Sequence, residues 1–240
     1  MSNRSEALEK IRENIARDGC HVYVVAASDT PRFAYSVGAS PCAGYEVILA
    51  GAAYYSDAEA GRIINAMVEA LPIKSTSSEE IGLERLGEFR LGPVDSSWVQ
   101  KLMLGAVDFY GDVSARQILP VGVCWTADIP DLSRPYDEER SPAWGGKQAS
   151  YTMVPMTAVA VTNLDALRGH PVTEAARWEE GLWEMFAGAG PDVSPEDVRK
   201  VPLRTLVAID GSLEPVMQLR VGEALWRDAD ELVWNEWKPT

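Results

Sequence analysis

The sequence predicts an α+β fold: a mainly antiparallel, twisted sheet with helices packed on it and room for partial closure into a barrel. Three observations predict it. Short runs rich in Val, Ile, Tyr and Phe recur between Ser, Asp, Pro and Gly turns, the signature of strands. The first three runs follow one another through short links, which favours a meander. Two other segments set a capping residue ahead of apolar positions at helical spacing, which starts a helix.

In chain order, Leu8, Ile11 and Ile15 lie at helical spacing in a charged segment that stops at Gly19, as an amphipathic helix with a glycine C-cap would. CHVYVVAA (20–27), FAYSV (33–37) and YEVILA (45–50) read as strands, with Ser-Pro-Cys-Ala-Gly as the second turn. Ser56 and Glu59 form a capping box ahead of Ile63, Ile64, Met67, Val68 and Leu71, with Pro72 as the stop. After a Ser-rich loop (75–78), EFRLGPV (88–94) reads as a strand. Asp95 caps one helix through Trp98, Leu102, Ala106 and Phe109 or Tyr110 to Gly111, and RQILPVGVCW (116–125) is a further strand.

From Thr126 to Ser150 the pattern changes to a long acidic loop broken by Pro130, Pro135 and Pro142. Loops of this length without regular structure are usually functional or disordered. Beyond it, YTMVPMTAVAVT (151–162) reads as a strand, Thr173 opens a helix carrying Trp178, Leu182, Met185 and Phe186, and Ser194-Pro-Glu-Asp starts a short helix. VPLRTLVAID (201–210), PVMQLRVG (215–222) and ELVWNEW (231–237) read as strands. The chain is long enough for one large domain or two, divided as an α+β domain over 1–145 and an α+β extension over 146–240 packed on the same core or apart from it.

Lys and Arg number 22 against 36 Asp and Glu, a net charge of -14. That sign argues against nucleic acid, which needs clustered cations, and suits either solubility or a basic partner. The three cysteines, Cys20, Cys42 and Cys124, are far apart and never in a C-x-x-C arrangement, so they read as thiols of a reducing compartment. The charged N-terminus is no signal peptide and no apolar run reaches membrane length. A cytoplasmic protein is the expectation.

No phosphate loop, nucleophile elbow, dinucleotide turn or zinc helix is present. His21 and His170 are the only histidines, too few for a histidine-rich metal site. His21 opens a strand, where a hydrogen-bonded imidazole is the ordinary arrangement, and His170 precedes Pro171 in a turn. Glu46 stands alone among apolar neighbours, so it either faces solvent or is a buried carboxylate that needs donors. With His21, Phe33, Tyr35 and Ser36 it outlines a candidate pocket. Of the eight tryptophans, Trp226, Trp234 and Trp237 crowd the C-terminus, and Trp125 and Trp144 bracket the acidic loop.

The run from His21 through Phe33-Ala34-Tyr35-Ser36-Val37-Gly38 to Glu46, the Ile63-Ile64-Asn65 element, Phe109-Tyr110-Gly111 and Gln117 resembles domain-of-unknown-function family 4262, over residues 1–145. That family has tryptophan where Cys20 stands, and Gly-His-Pro where Ala43-Gly44-Tyr45 precedes Glu46. The resemblance implies no reaction, and the histidine missing here removes any role that residue has in the family. The stretch from Pro202 to Asp230 is similar in composition and short motifs to the tails of bacterial immunity proteins.

Two expectations follow. The first is a non-enzymatic acidic binding protein without cofactor, in the manner of an immunity-type inhibitor. Its basic protein partner would meet Asp128, Asp131, Tyr136, Asp137, Glu138, Glu139 and Trp144. The alternative is a small-molecule or flavin-binding protein, since the F-A-Y-S-V-G strand in a barrel-like sheet is similar to flavin reductase-type split barrels. Against it, Arg32 is the only cation near the motif.

Overall fold

In the computed structural model, residues 3–51, 54–71, 80–122, 129–147, 154–155, 157–231 and 233–237 are described. The chain is α+β and forms two compact units, 1–121 with 127–148, and 122–126 with 149–240. Each is built on one six-stranded open sheet.

In the first unit, α1 (Asn3–Asp18) ends where the Gly19 N–H donates to the Ile15 carbonyl at 2.9 Å, with Gly19 at φ 80°. β1 (His21–Val25), β2 (Phe33–Val37) and β3 (Glu46–Ala50) are an antiparallel meander, with Tyr23 opposite Tyr35 and Tyr35 opposite Ile48. The turn between β2 and β3 contains one helical turn, α2 (Ser40–Ala43), closed by Gly44 in the left-handed region at φ 80°. α3 (Asp57–Ala70) carries the complete capping box of Ser56 and Glu59, buries Ile63, Ile64 and Met67, and packs against β1, β2 and β3. Its expected stop at Pro72 and the Ser-rich loop lie outside the described residues.

β4 (Ile81–Leu83), too short to read from sequence, pairs with β5 (Gly87–Pro93). The helix capped by Asp95 breaks into α4 (Ser96–Leu102) and α5 (Leu104–Tyr110) at Met103, φ -98° and ψ 47°. The Gly105 N–H donates to the Tyr35 hydroxyl at 3.0 Å instead of to the carbonyl four residues back. β6 (Ala115–Pro120) then enters the sheet between β5 and β3, antiparallel to one and parallel to the other. The order β1-β2-β3-β6-β5-β4 leaves both edges unclosed. The expected partial barrel is therefore corrected: with β3 paired to β6, β1 and β4 end on opposite sides of the sheet. The core holds Phe33, Tyr35, Ile48, Trp98, Met103 and Trp144.

In the second unit, β7 (Val159–Asn163) leads into α6 (Leu164–Leu167), β8 (Glu174–Glu179), β9 (Leu182–Phe186), β10 (Val198–Pro202), α7 (Leu203–Ile209), β11 (Ala224–Trp226) and β12 (Asn235–Trp237). The sheet order is β10-β7-β9-β8-β11-β12, with β7 and β9 parallel and the other pairs antiparallel. Several readings fail here. The helix expected from Thr173 is the β8–β9 hairpin, because Gly181 adopts φ 83° at its turn, a conformation that glycine favours and a helix interior does not use. The short helix expected at Ser194 is a turn into β10. The expected strand 201–210 becomes α7 after Pro202, burying Leu203, Thr205 and Leu206, and the strand expected over 215–222 is largely the 3-10 helix Gly211–Gln218.

Candidate functional site

Glu46 is fully buried. Its Oε2 accepts from the Ser36 hydroxyl at 2.6 Å and the Ala39 N–H at 3.2 Å, and its Oε1 from the N–H groups of Gly38 at 3.0 Å and Ser40 at 2.9 Å. The Ser36 Oγ in turn accepts from the Val47 N–H at 2.9 Å. Gly38 makes the concave backbone possible: at φ 128° a Cβ would stand 3.1 Å from both Cys20 Cα and Ile15 Cγ1. Four donors for one carboxylate balance the cost of burying it. The Tyr35 hydroxyl is not among these donors and accepts from the Gly105 N–H.

Around this carboxylate the neighbouring acids are held neutral. The Cys20 thiol is pushed up to about 11 by burial and then by the Glu46 charge. The Tyr110 phenol is raised by the same two causes. A thiol so placed is no nucleophile at neutral pH. The Cys20 Sγ stands 3.8 Å from Asn65 Oδ1. His21, next in sequence, has Nδ1 2.7 Å from Asn14 Nδ2, and burial, then Lys10, lowers its pKa. A neutral ring that accepts this amide hydrogen at Nδ1 carries its proton on Nε2. Cys124 lies outside the described residues. Among the described residues, no group of three or more His, Cys, Asp and Glu is arranged for a metal ion, and no helix is long and apolar enough to cross a membrane.

The acidic loop is more neutral than its composition. Asp131 lies 3.5 Å from Arg134, Asp137 3.4 Å from Arg140, and Glu138 2.8 Å from Lys147. Glu139 is exposed and Asp128 lies outside the described residues. Tyr136 is half-buried, edge-on to Trp98 at 4.9 Å between ring centroids and under the Lys101 ammonium at 4.3 Å. Trp144, expected at the partner surface, is instead fully buried in the core. The loop is pinned from beneath: Gln117 Nε2 donates to the Pro130 carbonyl at 3.0 Å, and its Oε1 accepts from the Leu132 N–H at 3.2 Å.

The second unit presents a surface the sequence reading missed. Strand alternation brings Glu174, Ala176 and Trp178 of β8, Glu184 and Phe186 of β9, and Trp237 of β12 to one face, around a hollow of about 420 Å³. Trp226 of β11, opposite Glu174 in the register, joins them. Trp178, Trp226 and Trp237 are 41%, 42% and 45% exposed. The Trp178 indole N–H donates to Glu184, and Glu174 Oε2 accepts from the Gly190 N–H at 2.8 Å. Each carboxylate keeps its other oxygen unbonded among the described residues. Lys200, opposite Val161, is a cation at the margin. The signal in the sequence was the Trp and Glu content of 174–186, which the helical reading scattered around a cylinder.

No curated protein and no solved structure matches the chain. The family match covers the Glu46 nest, α3 and β6, but neither the acidic loop nor the tryptophan face: residues 14–121 match the model described as Domain of unknown function (DUF4262), the family that the F-A-Y-S-V-G and Glu46 motifs resemble.

Proposed function

We propose that the chain is a non-enzymatic acidic binding protein that engages a basic protein partner, in the manner of an immunity-type inhibitor. The observation that carries this reading is the second unit's face, where three half-exposed tryptophans flank Glu174 and Glu184. Large exposed aromatic patches are interaction sites more often than chance surface. Indole faces attract Lys and Arg side chains, and neighbouring carboxylates supply their counter-charges. The adjoining C-terminal segment adds Glu223, Asp228, Asp230 and Glu231. In the first unit Glu46 is held by four donors, the Cys20 thiol is kept protonated and His21 Nδ1 meets Asn14.

The test uses an Arg- and Lys-containing peptide titrated into the full chain, read by tryptophan fluorescence. Trp178→Ala, Trp226→Ala and Trp237→Ala are each expected to weaken binding about tenfold, the loss of one hot-spot contact. Neutralising Glu138 and Glu139 is expected to leave affinity nearly unchanged. Binding lost on loop neutralisation but kept in the tryptophan variants would return the interface to the acidic loop, and equal losses from any charge change would reduce it to bulk attraction.

A further inference from the structure

A second concave surface lies within the first unit, where the aromatic ladder of β1 and β2 meets the break between α4 and α5. The rings of Tyr23 and Tyr35 are stacked at 5.1 Å and 26°, and those of Tyr35 and Phe33 at 6.2 Å and 17°. Rings stacked in this way turn their edges to the cleft, where Tyr23 is half-buried and Tyr35 and Phe33 are buried. Helix α5 comes close to the ladder only because residue 105 is glycine: a Cβ there would stand 2.5 Å from Tyr23 Cε2 and 2.9 Å from the Tyr35 oxygen. Between ladder and helices is a cleft of about 440 Å³, lined also by Lys101, Leu104 and Asp108. That volume suits a small organic molecule. Leu104 at its mouth is 60% exposed.

The charge in the cleft is uneven. Asp108 is paired with Arg4 at 2.7 Å. Lys101 has no carboxylate within ion-pair distance among the described residues. Its ammonium rests over the Tyr136 ring at 4.3 Å, and Glu138, which feels its charge, is paired with Lys147 at 2.8 Å. In a chain of net charge -14, this cleft thus sets the ring edges of the β1–β2 ladder beside a lysine that has no ion-pair partner among the described residues.

We propose that this cleft binds a flat aromatic small molecule bearing an acidic group, its ring against the edges of Tyr23 and Tyr35 and its anion on Lys101. The site is independent of the tryptophan face and stands or falls without it.

The experiment titrates 2-naphthoate into the full chain by calorimetry, with the Tyr23 and Tyr35 ring signals followed by NMR and 2-naphthylmethanol as the uncharged control. Wild type is expected to bind naphthoate and shift both tyrosines. Lys101→Gln should weaken naphthoate about tenfold, the loss of one charge-assisted contact, and leave the alcohol unchanged. Leu104→Glu, at an exposed position, should abolish naphthoate binding without disturbing the fold, as circular dichroism would report. Absence of binding by wild type, unshifted tyrosines, or naphthoate affinity unchanged in both variants would each overturn the proposal.

Discussion

Removing the Glu46 carboxylate strands the Ser36 hydroxyl and three backbone N–H groups at once. Each buried donor left without a partner costs about 1–3 kcal/mol, less where water can enter. Glu46→Ala is therefore expected to destabilise the first unit by at least about 3 kcal/mol, with Glu46→Gln milder because one oxygen survives. Urea midpoints of the three proteins check this, and an unchanged midpoint in the alanine variant would mean the nest does not hold β2 to β3. His21 makes a different prediction. Its folded pKa lies below the ordinary 6.5 because burial, and then Lys10, disfavours the cation. As pH falls below that value the unfolded chain takes up the proton first, so stability present above it is lost on acidification. His21→Gln should flatten this part of the stability curve while leaving the acid limb below pH ~5, where carboxylates titrate. For the thiols, Cys42 is exposed and Cys20 buried, so iodoacetamide at neutral pH should modify Cys42 and spare Cys20 in the native protein; mass spectrometry of the peptides distinguishes them.

At the scale of single elements, local signals and long-range ones part company. Ser56→Ala removes the N-cap of α3 and is expected to cost about 1 kcal/mol. Gly181→Ala forces a Cβ into the left-handed region at φ 83° and should cost the second unit about 1–2 kcal/mol. Denaturation curves measure both. The capping box, the glycine stop of α1 and the meander were legible in the sequence because each is written within a few residues. The β8–β9 hairpin was not, since Trp178, Leu182, Met185 and Phe186 fit helical spacing as well as they fit two strands. Only the turn at Gly181 and the pairing of β9 with distant β7 decide between them. The same division runs through the sites. Glu46 stood out as a lone carboxylate in an apolar strand, and it is the residue around which the β2–β3 turn is built. In the acidic loop, composition displays Asp137 and Glu138 but not their pairing with Arg140 and Lys147. The tryptophan face could not be read at all without the register that sets Trp226 beside Glu174.

For the molecule as a whole, each unit has its own sheet and its own buried residues, which is the condition for separate unfolding. Calorimetry is expected to resolve two transitions, with Glu46→Ala lowering one and Gly181→Ala the other; a single transition moved by both would show one cooperative body. The parallel pairing of β3 with β6 also has a consequence for the chain while it is being made. Strand β6 begins at Ala115, after α3, β4, β5, α4 and α5 have all been synthesised. At about 5–20 residues per second, the β3 edge that Glu46, Val47 and Ile48 present to β6 waits for seconds on the ribosome with no strand on that side. An apolar edge left open is a template for pairing with other chains, and pairings this distant in sequence form slowly. The nascent first unit is thus most exposed to aggregation before residue 115 emerges, and a stalled chain ending there should need a chaperone that one extended past Pro120 does not.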